Sequence, residues 1–401
     1  MIAKFIYAFS FFFVLIACGG KPKPNNLQHQ ALLVLDSTTK EKLTSQIKES
    51  YQNILGNHDF NGSILVAKNG EILYEDYQGF YDFKSKSPIN TNSTFHIAST
   101  SKTFTAMAIL KLWEEGKIEL DKPVASYLPR FPYSEITIRM LLNHRSGINN
   151  YAYFMVDKQV QSYKVKGKKG KLITKTRTIQ LPVIVKPGLL NNQDMLNFMV
   201  KYKPSLIFKP NSSFTYSNTN FSLLALIIEK IVGKDYPSYI METIFKPLGM
   251  KNTFVFSKKD INNYQPSYYA NNNPYNIEKF DCIYGDKNIY STVRDLLLWD
   301  KALYSGSYIK HKTLQMAFEP NNNDKPSIHN YGLGWRMINQ ANQKIIYHNG
   351  WWHGNNAVFT RFIKDTATII VLGNRFNRNI YKAKNIAASF LAGSDTTSVA
   401  E

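Results

Sequence analysis

The stretch Phe95-His96-Ile97-Ala98-Ser99-Thr100-Ser101-Lys102 places a hydroxyl and an amine three residues apart, directly before an apolar run. The pattern from Thr103 to Trp113 predicts a helix buried on most sides, and the spacing puts Ser99 and Lys102 on one helical face. A serine hydroxyl becomes a nucleophile when a neighbouring base takes its proton, and a lysine is such a base where its surroundings favour the neutral amine. The stretch therefore predicts an enzyme that forms an acyl-serine intermediate.

The Ser-x-x-Lys spacing alone does not single out this site, because it also occurs at Ser37/Lys40, Ser45/Lys48 and Ser307/Lys310. A second motif, Tyr216-Ser217-Asn218, precedes a helix predicted from Phe221 to Val232. Residues two apart in an extended chain point the same way, so Tyr216 and Asn218 are expected to face a common cleft. A tyrosine beside an ammonium group can relay protons, and the asparagine amide can hold a substrate carbonyl or fix the lysine.

A third motif, His348-Asn349-Gly350, ends a predicted strand and is the only His-x-Gly in the chain. The same alternation aims His348 at the cleft, and Gly350 is expected to let a ligand lie close to the backbone. The Trp351 N–H then joins the Ser99 N–H as the second donor to a tetrahedral oxyanion. His348 and His353 lack a third nearby ligand, and there is no phosphate-binding glycine loop, so neither a metal nor a cofactor is expected.

The order of these three motifs resembles the serine β-lactamase and penicillin-binding protein superfamily, specifically its class C β-lactamase and DD-peptidase branch. The resemblance covers about residues 40 to 393 and extends to the segments that begin at Gly62, Phe95, Ile136, Pro247, Tyr290 and Tyr331. It implies that Ser99 is the acylated nucleophile, Lys102 its base and Tyr216 the proton relay, with Asn218 and His348 as substrate contacts. Whether Lys102 or Tyr216 takes the first proton stays open.

The third motif departs from the class C pattern, in which Lys-Thr-Gly is usual. His348-Asn349-Gly350 supplies neither a permanent charge nor a hydroxyl that would hold a carboxylate. It is more similar to the DD-peptidases, D-aminopeptidases and esterases of the family. The resemblance therefore implies a hydrolase of small D-amino-acid, peptidoglycan-type peptides or esters, ahead of β-lactams. The alternatives are a non-catalytic penicillin-recognising receptor, a β-lactamase of class C type, and an adhesive surface lipoprotein.

The order of predicted elements indicates an α+β fold, because strands gather at both ends of the chain and helices lie between them. Two strands joined through Asn69-Gly70 come first, and three more follow from Lys344 to Leu372. The sequence predicts an antiparallel β-sheet flanked by helices, with a mostly helical lobe inserted at about residues 96–284. The whole domain is expected to span residues 37–393, followed by a polar tail at 394–401.

The N-terminus carries Lys4 and an apolar run from Phe5 to Ile16, too short to span a bilayer. Leu15-Ile16-Ala17-Cys18 resembles the bacterial lipobox, which implies a signal peptide at 1–17, an acylated Cys18 and a tether at 18–36. An ordinary cleaved signal peptide is the alternative. We expect a lipid-anchored protein of the bacterial cell envelope, facing the periplasm or cell surface. Cys282 then stands alone, which excludes an intrachain disulfide.

Positive charge is concentrated in one segment of a chain whose net charge is +20. Residues 158–186 hold nine lysines and arginines and no acidic residue, and they alternate around Gly167-Lys168-Lys169-Gly170, which predicts a basic hairpin within an insertion at about 156–188. One interpretation is a solvated edge whose lysines discourage sheet-to-sheet aggregation. The other is a binding patch for an anionic envelope polymer or lipid headgroups. Nucleic acid is not an expected partner of an exported chain.

Overall fold

The computed structural model describes residues 35–166, 171–181, 183, 185–324 and 326–391. The predicted signal peptide, Cys18, nearly all of the tether, the hairpin turn at 167–170 and the polar tail lie outside these residues. The strands of the described part are β1 (Gly62–Lys68), β2 (Glu71–Gln78), β3 (Phe80–Asp82), β4 (Ser87–Pro88), β5 (Phe95–His96), β6 (Lys158–Lys166), β7 (Leu172–Gln180), β8 (Phe254–Val255), β9 (Ile289–Ser291), β10 (His329–Tyr331), β11 (Arg336–Asn339), β12 (Lys344–Trp352), β13 (Asn355–Phe362) and β14 (Ala367–Gly373).

Eight of the nine α-helices of the described residues lie between β5 and β10. The α-helices of the described part are α1 (Ser37–Tyr51), α2 (Ser101–Glu114), α3 (Ile138–Leu142), α4 (Tyr151–Phe154), α5 (Asn192–Tyr202), α6 (Asn218–Val232), α7 (Tyr236–Ile240), α8 (Val293–Ser305) and α9 (His311–Ala317). The 3₁₀ segments are Ala98–Thr100, Val124–Ser126, Lys258–Asn263 and Arg378–Ser389. The π-helical turns are Gln52–Gly56 and Met241–Phe245. No helix among the described residues has the length and apolar character needed to cross a membrane.

Both ends of the domain build one antiparallel sheet of seven strands, in the order β10-β11-β12-β13-β14-β1-β2. Its centre joins the first strand to the last, with Ile64 of β1 opposite Val371 of β14. Apart from Lys68 at the end of β1, the residues of these two strands are buried because both faces of the sheet are covered. Leu65 packs into the core shared with α2, whereas Ile64 packs into a second core with α1. The predicted α+β architecture is confirmed.

Helix α2 lies in the centre of the larger core and carries the Ser-x-x-Lys motif at its start. Its side chains from Phe104 to Leu110 are inaccessible to solvent, and Phe104 stacks on Trp299 of α8 with ring centroids 4.6 Å apart. A helix that is buried around its circumference has little freedom to shift. The motif at its N-terminus is therefore held on a rigid element.

The basic segment forms the two-stranded hairpin that its alternation predicts. Strands β6 and β7 pair antiparallel from Lys158 opposite Gln180 to Lys166 opposite Leu172, and they form a sheet of their own. The described side chains of β7 are exposed except for Ile179, which is half-buried. The hairpin therefore presents charged side chains to solvent.

Candidate active site

Ser99 lies in the single 3₁₀ turn that joins β5 to α2, and it is partly exposed. The preceding residue, Ala98, has a φ of +47°, a left-handed conformation that a non-glycine residue adopts only under local constraint. His96 supplies that constraint because its Nδ1 lies 3.1 Å from the Ala98 N–H and its Nε2 lies 3.1 Å from Oδ1 of Asn288. Burial lowers the pKa of His96 to about 4, so the ring is neutral. It accepts a hydrogen bond from the Ala98 N–H and donates one to Oδ1 of Asn288.

The Lys102 amine is the centre of the site, and its side chain is fully buried. Its Nζ lies 3.2 Å from Oγ of Ser99, 2.8 Å from Oδ1 of Asn218 and 2.7 Å from the carbonyl oxygen of Asp286. A neutral amine has two N–H groups and one lone pair. In the neutral form of this amine, the two carbonyl oxygens accept both N–H groups, which directs the lone pair at the Ser99 hydroxyl. The geometry suits proton transfer from Ser99 to Lys102.

Tyr216 contacts the lysine through the face of its ring, whose centroid lies 4.9 Å from the Lys102 Nζ. The Cζ of Arg336, at the start of β11, lies 5.1 Å from the same centroid. The Tyr216 hydroxyl is buried and has no hydrogen-bond partner within the described part of the chain. The structure therefore brings Tyr216 to the nucleophile's base, while its role as a proton relay stays a prediction.

His348 differs from the expectation that it faces an open cleft, because its side chain is completely buried. Its Nδ1 lies 2.8 Å from the Asn349 carbonyl oxygen, and its Nε2 lies 3.4 Å from the Tyr331 hydroxyl. Burial, followed by the nearby positive charges of Arg336 and Lys102, lowers the pKa of His348 well below its usual value. The neutral ring donates a hydrogen bond to the Asn349 carbonyl and accepts one from the Tyr331 hydroxyl. His348 therefore packs beneath the site and does not line an open cleft.

Gly350 is also required for a different reason than predicted. A Cβ atom there would lie 2.2 Å from the carbonyl oxygen of Ile97 and 3.0 Å from the Cβ of Ala98. The space beside Gly350 is thus filled by the turn that carries Ser99, and it is not open to a ligand. Trp351 follows in β12 with its indole 64% exposed and bonded to the His353 carbonyl at 2.9 Å. The role of its main-chain N–H as an oxyanion donor stays a prediction.

Several residues of the site were not found from the sequence. His144 is buried with a φ of +58°, and its Nδ1 lies 3.2 Å from the Ser217 N–H, so it holds the chain between Tyr216 and Asn218. The Asp286 carbonyl and the Arg336 guanidinium complete the surroundings of Lys102 and Tyr216. His144 belongs to a segment used for the resemblance, but no spacing rule connects it with the second motif. Asp286 acts through its backbone, which no side-chain pattern reveals.

No three histidine, cysteine or carboxylate side chains converge as metal ligands anywhere in the described ranges. His353 instead contacts Asp281, with its Nε2 3.2 Å from a carboxylate oxygen, and its ring stacks on Tyr275 at 5.0 Å. His353 thus has a hydrogen-bonding partner of its own.

The family model described as Beta-lactamase matches residues 51–393. Penicillin-binding protein 4* of Bacillus subtilis is 30% identical over 369 residues, covering 87% of this chain and 76% of that protein. The putative penicillin-binding protein PbpX of the same species is 27% identical, with coverage of 85% and 78%. A penicillin-binding protein from Bacillus halodurans has a similar structure, with a TM-score of 0.68 at 21% identity over 84% of this chain and 98% of that one. D-amino acid amidase from Ochrobactrum anthropi SV3 has a TM-score of 0.65 at 21% identity, over 88% and 98%.

Proposed function

Because the chain belongs to the beta-lactamase family and is a serine hydrolase of that family, we propose that it acts through an acyl-enzyme on Ser99. The observation that carries the proposal is the position of the Lys102 Nζ, which lies 3.2 Å from the Ser99 Oγ with two carbonyl oxygens as its other partners. This arrangement favours deprotonation of the serine by a neutral amine.

The proposed reaction has two steps. Lys102 takes the Ser99 proton while Oγ bonds to the substrate carbonyl carbon, and the oxyanion is held by the N–H groups of Ser99 and Trp351. The bond to the leaving group breaks as that group receives a proton from Lys102, relayed by Tyr216. Water then attacks the acyl carbon and gives its proton to the same base, and Ser99 leaves with a proton restored. Each step balances without a cofactor.

The proposed substrates are small peptides of the D-amino-acid, peptidoglycan type, or esters. A neutral, buried His348 cannot provide charge for a carboxylate, whereas Arg336 on the adjacent strand places a permanent cation against Tyr216. The similarity to two penicillin-binding proteins and the shared fold with a D-amino acid amidase agree with such substrates. A penicillin-recognising receptor and a class C type β-lactamase are the alternatives.

A fluorophosphonate probe followed by intact-mass spectrometry tests the nucleophile. We expect one adduct on the wild-type protein, located at Ser99 by peptide mapping, and none on Ser99→Ala. Hydrolysis of a D-Ala-D-Ala peptide, a chromogenic ester and a chromogenic β-lactam then separates the alternatives. An enzyme releases product from the peptide or the ester, a receptor is acylated without turnover, and a β-lactamase turns over the third substrate fastest. A wild-type protein that no acylating reagent modifies would contradict the proposal.

The proposed location is the bacterial cell envelope, with lipid attached to Cys18. The support is the sequence Leu15-Ile16-Ala17-Cys18 after an apolar run. Detergent partitioning of the full chain and of Cys18→Ser tests it. We expect the wild-type protein in the detergent phase and the variant in the aqueous phase, and equal partitioning of the two would contradict lipidation at this cysteine.

The proposed partner of the basic hairpin is an anionic envelope polymer. Lys164, Lys166, Lys175 and Arg177 are all exposed, and among the described strands β6 and β7 pair only with each other. Replacing these four residues with glutamine tests the proposal in a polyphosphate pull-down. We expect salt-sensitive binding by the wild-type protein and by Ser99→Ala, and loss of binding by the four-residue variant. Binding to anionic vesicles alone would assign the hairpin to lipid headgroups instead.

A further inference from the structure

A second buried lysine lies beside the active site and takes no part in the proposed reaction. Lys287 directly follows Asp286, whose carbonyl oxygen accepts a hydrogen bond from Lys102. The Lys287 side chain is 2% exposed. Its Nζ lies 2.8 Å from the Tyr151 hydroxyl, 2.8 Å from the Phe280 carbonyl oxygen and 2.9 Å from that of Ile283. Burial lowers the pKa of Lys287, whereas the nearby carboxylates of Asp286 and Asp281 oppose this shift, and three acceptors match the three N–H groups of an ammonium.

Lys287 belongs to a buried charge cluster with Asp286 and Tyr151. The Tyr151 hydroxyl donates to Oδ2 of Asp286 at 2.9 Å, and the Ser222 hydroxyl lies 3.1 Å from Oδ1. The Lys287 Nζ lies 3.8 Å from Oδ2, and both side chains are inaccessible or nearly so. The Asp286 carboxylate is thus engaged by Tyr151, Ser222 and Lys287, while the carbonyl of the same residue binds Lys102.

The same ammonium also contacts the strand on the other side of the site. Its Nζ lies 4.7 Å from the centroid of the Trp352 ring, a distance at which a desolvated cation and an aromatic face attract each other. Trp352 is the last residue of β12, two residues beyond Gly350, and its indole N–H donates to Asp281 at 2.8 Å. Lys287 therefore joins the loop that binds Lys102 to the strand that packs on the Ser99 turn.

We propose that Lys287 is a positioning residue: it binds the Asp286 carboxylate and Trp352, which fixes the Asp286 carbonyl on Lys102 and leaves Lys102 without a carboxylate partner. The inference rests on the proposed acylation of Ser99 and extends it to the residues that hold the Lys102 amine in place beside Ser99. A buried carboxylate whose charge is not balanced by a cation favours the protonated form of a nearby amine, and a protonated amine cannot act as a base.

The charges around Lys102 support this role. The titratable groups that face Lys102 or interact with it electrostatically are Tyr216, His144, His348 and Lys287. Asp286 contacts Lys102 through its main-chain carbonyl, and Arg336 faces Tyr216. Burial is the main cause that lowers the pKa of His144 and of His348 well below the usual value, so both rings are neutral. Asp286 carries the one carboxylate among these residues. The Lys287 ammonium, with its Nζ 3.8 Å from the Asp286 carboxylate, offsets the negative charge of that carboxylate.

Three variants test the inference: Lys287→Met, Asp286→Asn and the double variant. The measurement is the rate of Ser99 acylation by a fluorophosphonate as a function of pH, which requires no natural substrate. We expect Lys287→Met to move the acidic limb of the profile upward by about one pH unit, which is roughly a tenfold loss of rate on that limb. Asp286→Asn should move it downward, and the double variant should return it to within about 0.3 pH units of the wild type.

Lys234→Met is the matched control, because Lys234 is exposed and pairs with Glu242 on the surface; its profile should equal that of the wild type. In Lys287→Met, the acylation rate could fall equally at every pH, with no shift of the acidic limb and no return of that limb in the double variant. This result would mean that Lys287 has only a structural role, and it would overturn the inference. If Lys287→Met does not fold, Asp286→Asn and the double variant still decide the question. Failure of the wild type to label overturns the proposed function itself, so the two failures are distinguishable.

Discussion

Gly350 of β12 lies against the main chain of Ile97, so closely that a Cβ atom would be 2.2 Å from the Ile97 carbonyl oxygen. The contact joins the third motif to the turn that carries Ser99, although the two are about 250 residues apart in the chain. Thr100 strengthens the same junction, because its hydroxyl donates to the His348 carbonyl at 3.2 Å. The position of the nucleophile is therefore set by the sheet as well as by α2.

Gly350→Ala should separate β12 from the Ser99 turn. The new methyl group meets backbone, which cannot rotate away, so one of the two segments must shift. We expect a loss of about 1–3 kcal/mol in the free energy of unfolding and about a hundredfold loss in the acylation rate. Denaturant unfolding and the fluorophosphonate reaction measure the two quantities.

Gly116→Ala is the control for this substitution. Gly116 has a φ of +69° with open space around its Cβ position, so alanine there strains the backbone far from Ser99 without a collision. It should lower stability by about 1 kcal/mol and leave the acylation rate unchanged. Equal acylation rates in the Gly350→Ala and wild-type proteins would show that the contact does not position the nucleophile.

Asn218→Asp should separate stability from activity at the Lys102 amine. The amide oxygen now lies 2.8 Å from the Nζ, and a carboxylate of the same shape would pair with a protonated lysine. We expect unchanged or higher thermal stability, with acylation at least tenfold slower near neutral pH because the lysine retains its proton. Asn218→Ala is the companion variant, which should lose rate without gaining stability. Faster acylation in Asn218→Asp would contradict a lysine base.

The sequence predicts the motifs of this site better than it predicts the contacts between them. Tyr216 and Asn218 were expected on one side of an extended chain, and both do reach Lys102. His348 lies beside Tyr216, with ring centroids 6.2 Å apart, and Gly350 lies against the turn that carries Ser99. Strand alternation indicates this face of β12 but not what covers it. His348 is covered by Tyr331, and Gly350 by the Ile97 turn. Both contacts join residues that are distant in the chain.

The partners of Lys102 show the same limit. Asp286 reaches the lysine through a main-chain carbonyl, which any residue type would supply, and therefore leaves no signature in the sequence. The antiparallel sheet and the buried helix α2, by contrast, follow from the periodicity of apolar residues within each segment. Local patterns thus predicted the elements, whereas the packing of one element on another decided the site.

Stability should decrease in acid because His96 is buried as a neutral ring. Its pKa is about 4 in the folded protein and near 6.5 in an unfolded chain, so the unfolded state binds more protons between these values. The contribution of neutral His96 to the free energy of unfolding is complete above pH 6.5 and decreases as the pH falls toward 4. The total decrease is about 3 kcal/mol. His144 and His348 act in the same direction.

His96→Asn isolates this contribution. Asparagine can still accept a hydrogen bond from the Ala98 N–H but does not titrate. Because the hydrogen bond to Asn288 is lost, the free energy of unfolding of the variant should be about 1–2 kcal/mol lower at pH 7.5. Between pH 6.5 and 4.5 its unfolding free energy should fall less steeply than that of the wild type. Urea unfolding at several pH values measures both slopes, and parallel slopes would mean that His96 is not the group responsible.

Deletion of the basic hairpin should leave the fold and the active site intact. Within the part of the chain that the structure describes, β6 and β7 pair only with each other. The two ends of the hairpin meet where the Leu181 N–H donates a hydrogen bond to the Asp157 carbonyl at 2.8 Å. Replacing residues 158–180 with two glycines therefore removes exposed surface while keeping the two ends of the segment close together. We expect a change in melting temperature of no more than about 3 °C, an unchanged acylation rate at Ser99 and complete loss of polyphosphate binding. A large loss of acylation would instead place the hairpin in the catalytic machinery, because a segment that only captures a polymer has no effect on a small acylating reagent.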